Sequence, residues 1–538
     1  MLVRSLSTPF SSLVNLNNNE IHSAKKIKPN FDQCRPYKDK KVSDLLRSLL
    51  VFQLCGFKPL VLNGTRLLDL SRRLLGDKIT DTVIQETFFK QFCGGQRHDE
   101  VVEKVHELKM ANIGAILDYA AENEEKSPSS SPSANRNQPA KVYDYHSEAL
   151  CDDHVSSFIQ CIKTVRDSGS SCNDSNQFAA IKVSALGNPM LLQRISDFAC
   201  QTQVLMTSFD EAGKGYITRE EFERMHRSLS NDNHQLNELI DRLDPKGMDV
   251  IDHTDWCTTA FTRAPELCLP MPSIEQFTSE EFDLIQAMQN RAGKIAEEAF
   301  LSDVRLLIDA EQSWIQPAID VISQGLQQSY NDVNKIDHPI IFNTYQCYLK
   351  KALGQIKIDL TRAKRLGYHL GPKLVRGAYM QRERERADEM GYASPIQDTA
   401  QDTHDSYNAA VQNVLHEILD LRASSSPLSL EVMCATHNRQ SIEWTIKLME
   451  DLGLGPAVDD EKNHNMISFS QLYGMSDQFT VPLAENGYNV YKYVPFGAIR
   501  EVIPYMLRRA QENSDILGKS QYEIELILDE LKQRILWK

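Results

Sequence analysis

The 538-residue chain lacks the features that mark several broad classes of protein. It has no run approaching the ~20 apolar residues that a membrane-spanning helix needs. Its eleven cysteines form no C-x-x-C pair, which disfavours a disulfide framework or a zinc site, and we predict reduced thiols and no metal site. Basic residues are outnumbered by acidic ones, and the net charge of −15 argues against a nucleic acid partner. A small-molecule partner is expected instead.

Eight short apolar runs, each followed by a helical pattern, are what the sequence does contain. They lie at 113–119, 179–186, 304–311, 339–345, 373–379, 428–438, 466–472 and 489–497. Near-continuous apolar strands that alternate with helices are typical of parallel strands covered by helices, and eight such units predict an α/β fold, a closed (βα)8 TIM-like barrel. An open doubly wound sheet is the alternative, but no G-x-G-x-x-G turn follows the first run.

The segments around the barrel carry their own signals. The N-terminus has many serines and no acidic residue before Glu20, which predicts a mitochondrial transit peptide, with an ordinary disordered tail as the alternative. The Ser/Pro/Asn-rich stretch at 127–140 predicts a flexible insertion. Together with helical apolar spacing, these signals predict a transit peptide at 1–30, an α-helical region at 42–108, the barrel at 109–520 with a helical insert at 195–268, and a C-terminal helix at 521–538.

The insert lies between the second and third strands and contains two loops with EF-hand spacing. The first loop starts at Asp210 and ends at Glu221, and the second starts at Asp244. Lys214 and Lys246 stand at loop positions where calcium needs oxygen ligands. We therefore predict an EF-hand-like lobe that is structural and does not bind calcium tightly.

Polar and aromatic side chains recur at the predicted carboxyl ends of the strands, where the active sites of parallel barrels lie. They are Lys182, Asp309, Glu311, Gln346, Arg376, Tyr379, Thr436, His437, Asn438 and Tyr493. A later helix places Tyr505 one turn before Arg508 and Arg509, and Glu512 one turn after Arg508. Adjacent arginines in a pocket are favoured where a carboxylate or phosphate accepts from both. A solvated surface pair of Arg508 and Glu512 is the alternative, but the whole set predicts a small anionic substrate held against a cofactor.

Five of these segments carry a family resemblance. AAIKVSAL, LLIDAE, KLVRGAYM, ATHN and YVPFGAIREVIPYMLRRAQEN resemble the proline dehydrogenase family, in its mitochondrial monofunctional branch. The resemblance implies an FAD-binding barrel that oxidises L-proline to Δ1-pyrroline-5-carboxylate by hydride transfer to flavin N5. It also implies that the electrons pass to ubiquinone, and that the protein lies in the mitochondrial matrix in peripheral contact with the inner membrane.

The resemblance implies a role for each matching residue. The residues implied to act on the substrate are Arg508, Arg509 and Lys182 for the carboxylate, Asp309 for ordering the network, and Tyr379, Tyr493 and Tyr505 for walling the pyrrolidine ring. Those implied to surround FAD are Gln346, Lys373, Val375, Gly377, Thr436, His437, Asn438 and Glu512. The lysine that bacterial bifunctional members place near the cofactor has no counterpart here, which leaves Arg376 or backbone amides for the pyrophosphate.

Two alternatives stay open at this point. One is a hydroxyproline dehydrogenase of the same fold, and the other is a calcium-responsive binding protein whose barrel is inactive. The bulk of Tyr493 leaves little room for a 4-hydroxyl group on the substrate ring, which disfavours the first. The intact set of Arg508, Arg509, Lys182 and Asp309 disfavours the second.

Overall fold

The computed structural model describes residues 29–120, 145–169, 176–210, 212–229, 236–244, 247–262, 277–456, 466–515 and 517–536. Most of the predicted transit peptide and the whole stretch at 127–140 lie outside these residues. No helix within the described ranges is long and apolar enough to cross a membrane.

Eight parallel strands close into a barrel in which neighbours along the chain are neighbours around the ring. The strands, numbered along the chain, are β1 Gly114–Tyr119, β2 Phe178–Ile181, β3 Ile217–Thr218 and β4 Val250–Ile251 in the insert, β5 Arg305–Ile308, β6 Ile341–Gln346, β7 Gly371–Val375, β8 Val432–Ala435, β9 Ile467–Leu472 and β10 Asn489–Phe496. Each predicted run overlaps one barrel strand, so the closed barrel is confirmed and the open sheet is wrong.

The predicted strand ends were less accurate than the strands themselves. The run at 179–186 was predicted as one strand, but β2 ends at Ile181 and a 3-10 turn at Val183–Ala185 follows. Val183 and Ala185 are fully buried although they lie beyond the strand. Because the turn after the strand is as apolar as the strand, hydrophobicity does not mark the boundary.

The barrel interior is filled by side chains, which explains why the strands are apolar on both faces. Phe178, Phe342 and Tyr491 meet edge to face, with ring centroids 4.9 and 5.6 Å from Phe178. Below them, Arg305 forms a two-pronged ion pair with Glu431 at 2.7 and 2.8 Å. This packing fills the amino-terminal end of the barrel and leaves the carboxyl end for a site.

Helices cover the outside of the barrel and extend it at both termini. They are α1 Val42–Gly56, α2 Lys58–Leu62, α3 Gly64–Leu75, α4 Asp77–Ile84, α5 Lys90–Phe92, α6 His98–Met110, α7 Tyr145–Gly169, α8 Pro189–Thr207, α9 Arg219–Leu229, α10 Leu236–Leu243, α11 His253–Thr262, α12 Ser279–Leu301, α13 Gln316–Tyr330, α14 Ala352–Leu366, α15 Met380–Met390, α16 Ala400–Ala423, α17 Arg439–Asp451, α18 Asp477–Glu485, α19 Ile499–Asp515 and α20 Leu517–Leu536. The C-terminal helix begins slightly before the predicted residue 521, and it packs with α19 against α1.

The insert forms two helix–loop–helix units that are paired through β3 and β4, with Ile217 opposite Ile251. The Asp210 carboxylate accepts hydrogen bonds from the backbone N–H groups of Lys214 and Gly215, at 3.0 and 2.7 Å. Lys214 Nζ lies 3.9 Å from Glu221. Groups of the loop itself thus contact the Asp210 and Glu221 carboxylates. The EF-hand interpretation and the lack of tight calcium binding remain predictions.

Candidate active site

A cavity of about 640 Å³ lies at the carboxyl ends of the barrel strands. This volume is within the usual range for small-molecule and cofactor sites. Every residue to which the sequence assigned a substrate or FAD role lines the cavity. The structure thus brings the predicted set together, while the role of each member stays a prediction.

A buried charge network occupies the floor of the cavity. Asp309, at the end of β5, binds Lys373 Nζ at 2.6 Å through one oxygen and accepts the Tyr493 hydroxyl at 2.5 Å through the other. Lys182, which follows β2, lies 3.7 Å from the same carboxylate and 2.8 Å from Asp118 Oδ2. The strand ends of the barrel therefore converge on two buried carboxylates and two ammonium groups.

The two carboxylates differ in their electrostatic surroundings. Burial opposes ionisation of Asp309, but the ammonium groups of Lys373 and Lys182 hold its pKa below the ordinary value. Burial, together with the neighbouring charge of Asp309, raises the pKa of Asp118 although Lys182 lies beside it. These surroundings favour the ionised form more strongly at Asp309 than at Asp118.

The opposite wall is the face of α19. Arg509 is only 6% exposed, and it binds Glu512 at 2.7 Å and stacks on the Tyr505 ring at 5.0 Å. Arg508 lies over the Tyr379 ring at 5.7 Å. Within the part of the chain that the structure describes, the Tyr505 hydroxyl and Arg509 Nε are buried without a hydrogen-bond partner. This helix face is therefore not a solvated one, and buried donors of this kind fit an anionic ligand.

The loop after β7 brings the backbone close to the cavity. Gly377 has φ of +126°, and a Cβ there would lie 2.5 Å from the Tyr348 ring. Only glycine fits this conformation and this space. The preceding Arg376 donates to His404 Nδ1 at 3.0 Å and to Thr436 Oγ1 at 2.5 Å. A fixed cation thus lies next to a segment where a ligand can approach the main chain.

The start of α17 faces the same region. Asn438 caps this helix by accepting the Ser441 N–H at 3.0 Å. His437 Nε2 accepts the Leu472 N–H at 2.9 Å, so a neutral ring carries its proton on Nδ1. The first-turn amides of a helix and a nearby arginine form an anion-binding arrangement. These residues, together with Gly377, fit a cofactor that carries phosphate groups.

Two residues of the site were missed by the sequence analysis. Asp118 is the second-last residue of β1, and the strand-end rule that selected Asp309 would have found it. Glu523 lines the cavity from α20 and accepts the Ser476 N–H at 2.5 Å. Burial raises its pKa to about 7. No local pattern identifies Glu523, because its place depends on how α20 folds back over the barrel.

Sequence comparison shows which known proteins the chain resembles. A sequence model described as proline dehydrogenase matches residues 192–521. The chain is 32% identical over 550 residues to "Proline dehydrogenase 1, mitochondrial" of Homo sapiens, which covers 93% of this chain and 88% of the relative. It is 28% identical over 498 residues to "Hydroxyproline dehydrogenase" of Bos taurus, which covers 92% of this chain and 91% of that relative.

Similarity to a solved structure supports the fold. A crystal structure of proline utilization A from Bdellovibrio bacteriovorus, inactivated by N-propargylglycine, matches with a TM-score of 0.56 at 14% identity. The match covers 89% of this chain but only 40% of that longer chain, and it bears on the fold alone. With the family match extending over most of the barrel, the chain belongs to the proline dehydrogenase family of enzymes.

Proposed function

We propose that the protein oxidises L-proline to Δ1-pyrroline-5-carboxylate with FAD as cofactor and ubiquinone as the final electron acceptor. In this reaction the ring carbon beside nitrogen loses a hydride and the nitrogen loses a proton, so that the C–N bond becomes C=N. The observation that carries the proposal is that the Asp309 network and the arginines of α19 line one and the same cavity.

The substrate end of the cavity suits a small amphipathic acid. The unsatisfied donors of Arg509 and Tyr505 are available to a carboxylate, and each charge-assisted hydrogen bond contributes about 1.5–3 kcal/mol. Tyr493 is held by Asp309, so its ring has a fixed position against which a saturated ring packs. Orientation of the substrate is therefore the main task of these residues.

The cofactor end suits FAD. When bound, FAD supplies a hydride acceptor at N5 and stores two electrons. At Gly377 and Val375 the cofactor can approach the backbone closely. Lys373 supplies a buried ammonium group that is ion-paired with Asp309. Arg376 and the α17 amides suit the pyrophosphate charge. The remaining residues proposed to contact FAD are Gln346, Thr436, His437, Asn438 and Glu512, all of which line the cavity.

Proline is preferred to hydroxyproline as the proposed substrate. The chain is closer in sequence to the human proline dehydrogenase than to the bovine hydroxyproline dehydrogenase, and the bulky Tyr493 ring is fixed in the cavity. The names of relatives also support a mitochondrial location, from which we propose the matrix and contact with the inner membrane. An inactive calcium-responsive protein is disfavoured, because the site retains its whole predicted set of charges.

An absorption spectrum tests the proposal directly. Purified protein should show the two bands of a flavin, and anaerobic L-proline should bleach them. 4-Hydroxyproline serves as the matched substrate control and should bleach them more slowly. A colourless preparation that cannot be reconstituted with FAD would contradict the proposal, and so would bleaching by NADH but not by proline.

A further inference from the structure

The hairpin of α3 and α4 exposes apolar side chains to an unusual degree. None of the twelve residues of α3 is buried. Leu70 and Leu74 are 50% and 73% exposed, and α4 exposes Ile79 and Val83, which lie one turn apart. In the described residues, half of the large apolar side chains that are exposed fall within 42–83. Contiguous apolar exposure on this scale marks an interaction surface.

The leucines of α3 form a stripe on the side of the helix that points away from α4. Ser71 and Arg72 face α4, where they contact Thr80 and Asp81 at 3.0 and 3.1 Å. At ~100° per residue, Leu70 lies nearly opposite Arg72, and Leu67 and Leu74 lie next to Leu70. The hairpin is thus held together on one side and presents leucines on the other.

Positive charges border this stripe in a chain whose net charge is −15. Arg66 and Arg73 lie one position before Leu67 and Leu74, and both are exposed. Neither has a carboxylate partner among the residues that the structure describes. An apolar helix face bordered by arginines is typical of helices that lie in the headgroup region of a bilayer.

The hairpin is attached to the helix that lines the active site. A Cβ at Gly64, the first residue of α3, would lie 2.6 Å from Leu507 on α19. On the same helix, Arg500 binds Asp77 of α4 at 2.6 Å. Leu507 immediately precedes Arg508 in the chain. The hairpin therefore contacts α19 directly, and α19 in turn lines the cavity.

We infer that the α3–α4 hairpin surface, formed by Leu67, Leu70, Leu74, Ile79 and Val83 with Arg66 and Arg73 at its edge, docks on an anionic lipid bilayer. The leucines enter the headgroup region and the arginines bind lipid phosphates. Docking here brings the cavity to the membrane surface, where an apolar quinone is dissolved. This last consequence rests on the proposed function, whereas lipid binding itself does not.

Cosedimentation of the full-length holoenzyme with vesicles tests the inference. We expect binding to phosphatidylglycerol-containing vesicles, weakening with salt, and at least about tenfold weaker binding to pure phosphatidylcholine. Leu70→Ser/Leu74→Ser should reduce binding about tenfold or more, from the lost apolar burial. Leu301→Ser is the matched control, because Leu301 is 74% exposed at the end of α12 in the barrel, and it should leave binding unchanged.

Three further measurements separate the possible outcomes. Arg66→Gln/Arg73→Gln should reduce vesicle binding and the salt dependence of that binding. This double variant tests the inference even if the leucine double variant fails to fold. Proline oxidation with a soluble dye should be unchanged in both variants, while reduction of ubiquinone in vesicles should fall. Absent dye activity in the wild type would refute the proposed function alone.

The inference is overturned if the wild type does not bind anionic vesicles or if both variants bind as the wild type does. It is also overturned if the leucine variant only converts a dimer to a monomer in sedimentation velocity, since the surface would then join two copies of the chain.

Discussion

Tyr493 donates its hydroxyl hydrogen to one oxygen of Asp309 at 2.5 Å, while Lys373 binds the other oxygen at 2.6 Å. The Tyr493 ring also lies below the Lys373 ammonium, 4.9 Å from Nζ to the ring centroid. A carboxylate from β5 thus fixes both the tyrosine wall on β10 and the lysine on β7. Under the proposed function, Asp309 therefore couples the residue that contacts the substrate ring to a residue that contacts the cofactor.

Replacing Tyr493 with serine should lower kcat/KM for proline and raise the ratio of hydroxyproline to proline turnover. The change removes ring packing and leaves volume and a hydroxyl group that suit a 4-hydroxyl on the substrate. Steady-state kinetics with both substrates give the ratio. Tyr493→Phe is the matched control, because it keeps the ring and should not increase the ratio. A wild type that already prefers hydroxyproline would overturn the proline assignment.

Replacing Arg509 with methionine should raise KM for proline by about 10²-fold, because an interaction of about 3 kcal/mol with a buried carboxylate is lost. Arg508→Met should act in the same direction. Flavin content, measured by absorbance, should change less. Arg500→Met is the control, since Arg500 lies on the same helix but outside the cavity, 62% exposed beside Asp77. A KM within threefold of the wild type in both cavity variants would show that α19 does not anchor the substrate.

The parts of this site that the sequence predicted follow from two simple structural rules. Strand ends of a parallel barrel all meet at one face, so Lys182, Asp309 and Tyr493 were predicted to converge although they are far apart in the chain. The stack of Tyr505, Arg508, Arg509 and Glu512 followed from helical geometry alone. Both predictions rest on local periodicity and a single topological rule.

The contacts that the sequence did not predict depend on tertiary packing. The pairing of Lys182 with Asp118 rather than with Asp309 alone depends on the register of β1 against β2. The place of Glu523 depends on α20 returning to the cavity mouth. Neither the register nor the return of a helix is encoded in hydrophobic spacing.

The insert should show no calcium site tighter than about 1 mM, the weak end of the EF-hand range. The Lys214 ammonium lies 3.9 Å from Glu221, where an ion would need the carboxylate. Calorimetric titration of the whole enzyme measures this affinity, and magnesium titration provides the comparison ion. A micromolar calcium site that also changes proline turnover would contradict the prediction and give the insert a regulatory role.

Stability should depend on pH through Glu523. Burial, aided by the charge of Asp477, raises its pKa to about 7 against the lowering effects of the Ser476 N–H, Lys492 and Lys40. Between the ordinary carboxyl pKa and this raised one, the folded state binds more protons than the unfolded state. The free energy of unfolding therefore falls as pH rises from about 4.5 to 7, by on the order of 1–3 kcal/mol from this group.

Glu523→Gln should remove this fall in the free energy of unfolding with rising pH. Glutamine remains neutral and keeps an acceptor for the Ser476 N–H, so the variant should match the wild type near pH 5 and be more stable at pH 8. Denaturant unfolding at pH 5, 6, 7 and 8 measures the difference. Glu530→Gln on the same helix is the control with the opposite sign, because ion pairs with Arg35 and Arg534 lower the pKa of Glu530 despite burial. We expect this variant to be less stable than the wild type at pH 8. The difference in the free energy of unfolding should shrink as pH falls. A Glu523→Gln difference that stays constant from pH 5 to pH 8 would show that Glu523 is ionised in the folded protein throughout.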